Sequence, residues 1–335
     1  MSRAFVCGCA GTALTPDERA FLRASDPFGL ILFKRNVETP AQVRALIADF
    51  RAVVGRAAAV LVDQEGGRVQ RLGPPHWRAY PAAARLGALD LPLPRRAEVV
   101  RRAATLLGQD LRDLGITIDC APVLDVPVAG AHDVIGDRAF SQRAEAVTQL
   151  GRAAALGLAD AGVMPVIKHI PGHGRAGVDS HLDLPVVDAP LDLLGESDFQ
   201  PFAANRDLPA AMTAHVVYTA LDPERPATQS PIVIRFIRDE IGFGGLLFSD
   251  DLSMQALHGT LQARTEAAFA AGVDLALHCN GDLAEAEAVA NAAPTLAGLA
   301  LTRAERAATW RGETAARFDP VEAWAEIEAS LAIKA

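Results

Sequence analysis

The chain has 335 residues, half of them apolar, and 41 acidic against 32 basic side chains give a formal net charge of −9. It can bury a large core, while the acidic balance and the lack of any basic run exclude a partner recognised through a phosphate backbone. Four cysteines, Cys7, Cys9, Cys120 and Cys279, form no CxxC pair and are too scattered for a disulfide scaffold, so a reducing compartment is expected.

In chain order, Arg3 and the apolar Ala4 to Ala10 could open a secretion signal, but Thr15-Pro16-Asp17-Glu18 reads as a helix start. Thr15 serves as N-cap, Pro16 occupies N1 and the acids fill the first turn. No apolar stretch reaches the roughly 20 residues needed to span a bilayer. The expectation is a soluble, cytoplasmic protein with no membrane partner.

Eight apolar runs read as strands: Ala4 to Cys9, Gly29 to Phe33, Ala58 to Asp63, Ile116 to Val123, Val163 to His169, Ala210 to His215, Gly245 to Ser249 and Val273 to His278. Runs without polar alternation suit strands buried on both faces, as parallel sheets require. Helical spacing appears between them over Pro40 to Val54, Arg95 to Leu114, Thr148 to Ala161, Arg235 to Ile241 and Leu261 to Ala271. Eight β-then-α units point to an α/β fold, a closed (β/α)8 TIM barrel, with an open doubly wound sheet as the alternative. No low-complexity linker divides the chain, and residues 1–335 read as a single domain.

Active sites of such barrels sit at the C-terminal ends of the strands. Polar groups gather there: Asp63 and Glu65 after the third run, Asp125 after the fourth, Lys168 and His169 at the fifth, His215 at the sixth, Asp250 and Asp251 at the seventh, His278 at the eighth. A purely structural protein has no reason to bear the desolvation of so many groups at one rim.

In Ser249-Asp250-Asp251-Leu252 the strand period of two lets one carboxylate face the barrel mouth while the other turns away. Asp251 is assigned an N-cap role before Leu252-Ser253-Met254, leaving Asp250 as a nucleophile suited to an anomeric carbon. Expelling an alcohol also needs a proton donor. His181, with Asp179 two residues earlier on a glycine-rich loop, is the candidate, because a neighbouring carboxylate fixes the imidazole tautomer and supports proton transfer. Asp63 and the arginines around the Gly66-Gly67 turn can bind vicinal hydroxyls, and Arg138 and Lys168 add a cationic wall. His169, His173, Asp179 and His181 also offer zinc-competent groups, but their spacing matches no zinc motif and the Lys168 ammonium opposes a divalent ion. No metal and no cofactor are expected.

The segments Asp63-Gln64-Glu65-Gly66-Gly67-Arg68-Val69-Gln70-Arg71, Gly136-Asp137-Arg138-Ala139-Phe140-Ser141, Lys168-His169-Ile170-Pro171-Gly172-His173-Gly174, Asp179-Ser180-His181 and Phe248-Ser249-Asp250-Asp251-Leu252-Ser253-Met254, in this order, resemble the β-N-acetylglucosaminidases of glycoside hydrolase family 3. The resemblance implies a retaining enzyme with Asp250 as nucleophile, His181 as acid/base held by Asp179, and Asp63, Arg71, Arg138, Lys168 and His169 around the terminal N-acetylglucosamine. Retention ordinarily uses two carboxyl groups roughly 5 Å apart; here a histidine replaces one of them. It further implies a small carbohydrate substrate, the muropeptides of Gram-negative cell-wall recycling that carry N-acetylglucosamine on 1,6-anhydro-N-acetylmuramic acid, and a monomer without the second domain of larger relatives. Two rival enzymes stay open: a phosphorylase using the same intermediate, and a metal-dependent amide or ester hydrolase on the same barrel.

Overall fold

The computed structural model describes residues 2–180, 182–310 and 318–332. Eight parallel strands close into one barrel in chain order: β1 (Arg3–Cys7), β2 (Pro27–Leu32), β3 (Ala59–Val62), β4 (Ile118–Asp119), β5 (Met164–Ile170), β6 (Ala210–Thr213), β7 (Leu246–Asp251) and β8 (Leu275–His278). Each apolar run carries one of them, and β8 pairs with β1, which removes the open-sheet alternative. The fourth is the shortest because Pro122, after a cis bond from Ala121, has no N–H to extend the ladder; the chain rejoins it where Val123 bridges Lys168.

Helices cover the barrel, and several start where a hydroxyl or carboxylate takes an unpaired N–H. Thr15, Thr39, Ser230, Thr260 and Asp282 each accept from the backbone three residues on. Among the described residues, no helix is long and apolar enough to cross a membrane. All four cysteines are buried and free.

The period of the strands sorts the core into two shells. Outward residues such as Leu30, Leu32, Val60, Val62, Ile167 and Leu247 pack beneath the helices. Inward residues fill the barrel: Val6, Ile31, Leu61, Ile118, Val166, Met212, Phe248 and Leu277. Burying such side chains stabilises by about 1.5–3 kcal/mol each, so the register of every strand is strongly specified.

Beyond β3, Gln64–Gly66 and Val69–Gln70 form a short antiparallel hairpin on the rim. Its turn needs glycine twice. Gly66 and Gly67 have φ of 90° and 57°, and a Cβ would lie 2.4 Å from the Pro81 carbonyl oxygen or 2.6 Å from Ala82 Cβ.

Candidate active site

Two residues beyond the inward-facing core, the same strand alternation delivers polar side chains. Asp63 follows Leu61, Lys168 follows Val166 and Asp250 follows Phe248. These three line one cavity of about 220 Å³ at the C-terminal mouth, with Glu65, Arg71, Arg138 and His169 around them. The β5–β6 ladder slips between Lys168 and Ile170, and the β7–β8 ladder between Phe248 and Asp251. Such irregularities re-aim side chains, and both fall where the cavity forms.

The cations of the wall are tied into an ion-pair lattice. Lys168, only 2% exposed, lies 2.8 Å from Asp63 Oδ1 and 2.7 Å from Glu65 Oε1. Arg138 donates Nε and Nη2 to the two oxygens of Glu65, each at 2.8 Å, and Arg71 Nη2 reaches Asp63 Oδ2 at 3.3 Å. Burial alone would raise both carboxyls. Lys168 and Arg71 outweigh it at Asp63, and Arg138 and Lys168 at Glu65, so both lie below the ordinary carboxylate range. Burial likewise opposes the charge of Lys168, yet Asp63 and Glu65 hold its pKa above the usual lysine value.

Glu65 is the residue that sequence reasoning underrated. Its position after β3 was visible, but the bidentate match to Arg138 joins distant parts of the chain. Asp119 was missed entirely. Buried at the end of β4, it accepts the Gln64 N–H at 2.9 Å, and Gln64 in turn accepts from the backbone of Arg71 and Leu72. Burial raises the Asp119 pKa well above its ordinary value.

Asp125 supports the opposite wall. Its Oδ2 lies 2.6 Å from His169 Nδ1, and its Oδ1 accepts the backbone N–H groups of His169 and His173. That orients the other His169 nitrogen into the cavity, where Nε2 lies 4.0 Å from Asp250 Oδ2. Burial would raise the Asp125 pKa, but His169 and His173 hold it down. The Asp250 side chain is 16% exposed, and its Oδ1 accepts the Asp251 N–H at 2.8 Å.

Several expectations need correction or relocation. Asp251 does not cap a helix: it ends β7, and its carboxylate accepts from the Ser253 N–H, the Ser253 hydroxyl and the Cys279 N–H, closing a turn. The next helix starts only at Leu261, capped by Thr260. His215 is tied between the Thr228 hydroxyl and the Asp251 carbonyl, and neither it nor His278 lines the cavity. Arg68 turns away to Asp137. Asp179 is half-buried, and its carbonyl accepts from Leu182 and Asp183. His181 lies outside the described residues.

This barrel mouth, with a strand-tip carboxylate facing a lattice of paired charges, coincides with a family match. The model of the glycosyl hydrolase family 3 N-terminal domain covers residues 12–309. The chain belongs to that family. Its relatives include a beta-hexosaminidase of Thiobacillus denitrificans, 42% identical over 81% of this chain and 76% of the relative, and one of Pseudomonas aeruginosa, 37% identical over 100% and 98%. NagZ from Neisseria gonorrhoeae superposes with a TM-score of 0.84 at 32% identity, covering 99% of this chain and 96% of that one. A β-N-acetylglucosaminidase from Paenibacillus sp. is larger: this chain covers 62% of it, at 31% identity and a TM-score of 0.81. The protein is a glycoside hydrolase of the β-N-acetylhexosaminidase class.

Proposed function

We propose that the protein is a retaining β-N-acetylglucosaminidase acting through Asp250. The observation that carries this reading is the Asp250 carboxylate at the tip of β7, lining the same cavity as Asp63, Arg71, Arg138, Lys168 and His169. Those five side chains bind the terminal N-acetylglucosamine, the ionised Asp63 accepting from hydroxyls while Arg71, Arg138 and Lys168 donate to ring substituents. Because ion pairs to one another, to Glu65 and to Asp125 already fix them, little side-chain freedom is lost on binding.

Asp250 attacks the anomeric carbon as the glycosidic bond breaks, and the leaving oxygen takes a proton from His181, oriented by Asp179. A water, deprotonated by the same imidazole, then cleaves the ester at Asp250 and releases the sugar with its configuration kept. His169, held by Asp125, donates toward the reacting sugar beside Asp250. The support for the substrate is the family and one neighbour, a NagZ from Neisseria gonorrhoeae solved with N-trifluoroacetyl-D-glucosamine, 31% identical with a TM-score of 0.84. The finer reading is that N-acetylglucosamine is removed from 1,6-anhydro-muropeptides in the cytoplasm, with residues 1–335 acting as one catalytic unit.

Proton NMR of the first released sugar tests the mechanism: the β-anomer is expected, and an α-anomer would contradict it. Comparing kcat/KM on an anhydro-muropeptide and on a chitin disaccharide tests the substrate, with the muropeptide expected to be preferred. Product analysis in phosphate and in a non-nucleophilic buffer separates hydrolysis from phosphorolysis, and free sugar is expected in both.

A further inference from the structure

Between Asp179 and His181 in the chain stands a residue to which the proposed reaction gives no role, although it lines the same cavity as Asp250. Ser180 is 3% exposed, and its hydroxyl meets His173 Nε2 at 2.9 Å. Its carbonyl accepts the Ala256 N–H at 3.3 Å, from the loop that follows β7. Ser180 is therefore tied on one side to the start of its own connection after β5, at His173, and on the other to the loop beyond the Asp250 strand.

His173 is itself fixed. Its N–H donates to Asp125 Oδ1 at 2.7 Å, and its ring stands edge-on to His169 with centroids 5.5 Å apart. The neighbouring Gly174 presses so close to the backbone of Val126 that a Cβ would lie 2.0 Å from its carbonyl oxygen. Burial, then the charge of His169, pulls the His173 pKa down to about 4, so the ring is neutral at physiological pH and makes a neutral hydrogen bond to Ser180.

We infer that His173 and Ser180 are positioning residues for proton transfer: the imidazole holds the Ser180 hydroxyl, and through the chain fixes the peptide link to Asp179, the carboxylate read as the partner of the proton donor. Asp125 thereby serves both walls of the site, orienting His169 with one oxygen and seating the His173 backbone with the other. The inference rests on the reading of Asp179 and His181 as the proton-transfer pair. A buried hydroxyl that only filled space would affect stability and every substrate alike, whereas a positioning hydroxyl affects the step that needs the proton.

The test compares two β-N-acetylglucosaminides, one with an alkyl alcohol leaving group and one with an activated aryl group that leaves without protonation. Ser180→Ala should lose about ten- to a hundredfold in kcat/KM on the alkyl glycoside, the size of one lost buried hydrogen bond, and little on the aryl one. Combined with His173→Ala it should lose no more than the worse single variant, since both remove the same bond. Equal losses on the two substrates, or additive losses in the double variant, overturn the positioning role. His181→Ala is the reference. If it shows the leaving-group effect and Ser180→Ala does not, the positioning role alone fails; if neither shows it, the proton-transfer reading fails and takes the inference with it. Should His173→Ala not fold, the comparison of Ser180→Ala with His181→Ala decides by itself.

Discussion

Lys168 is the side chain around which the charged cavity at the barrel mouth is organised. Its ammonium is almost fully buried, and only the two carboxylates it bridges offset the desolvation. Removing Lys168 leaves Asp63 and Glu65 only Arg71 and Arg138 to offset two neighbouring, mostly buried negative charges, so Lys168→Met should cost roughly 3–5 kcal/mol in urea unfolding, as well as raising KM. The carboxylates make the pH dependence explicit. Asp63 and Glu65 titrate below their ordinary values of 3.8 and 4.5, so their stabilisation is whole above those values and is lost as the pH falls through the lower folded ones. His173 acts in a higher window. Lowered from 6.5 to about 4, it leaves the unfolded chain binding more protons between those values, and stability falls as the pH drops through them. Melting temperatures measured from pH 7 to pH 4 should decline, and the decline should be shallower in His173→Asn. The strand-tip positions of Asp63, Lys168 and Asp250 were legible because each continues an apolar run. Glu65 and Asp119 were not, because what defines them is contact between distant segments, Glu65 with Arg138 and Lys168 and Asp119 with the Gln64 N–H, which no single segment displays.

At the scale of elements, the strands were easier to read than the helices. A strand buried on both faces has to be apolar, which marks all eight. Helix starts came out late, at Arg95 for Leu93, Thr148 for Ala144 and Arg235 for Pro231, because first turns of proline, alanine or a single apolar residue show little periodicity. Pro40–Val54 and Leu261–Ala271, capped by threonine and ended by a glycine in the left-handed region, were found at their true bounds. The rim hairpin after β3 is the element most sensitive to change. Gly66→Ala would place a methyl group against the Pro81 carbonyl in a left-handed conformation, at an expected cost of about 1–3 kcal/mol. Because the hairpin carries Glu65 and leads to Arg71, KM should rise more than kcat falls. Steady-state kinetics alongside a thermal melt checks both.

For the whole molecule, the barrel explains why residues from four different connections meet. Parallel closure points every strand's C-terminal end to one face, so inward alternation carries core below and chemistry above without a break in register. The net charge of −9 does not hinder a neutral sugar, and the cations of the pocket are already paired within it. The central proposal is a transient ester between Asp250 and the sugar. Soaking the enzyme with a slow fluorinated N-acetylglucosamine analogue, digesting it and sequencing the labelled peptide by mass spectrometry tests this most directly. A single sugar adduct on Asp250, lost in Asp250→Asn, is the expected result; an adduct on Asp251 or elsewhere, or turnover without any adduct, would contradict it.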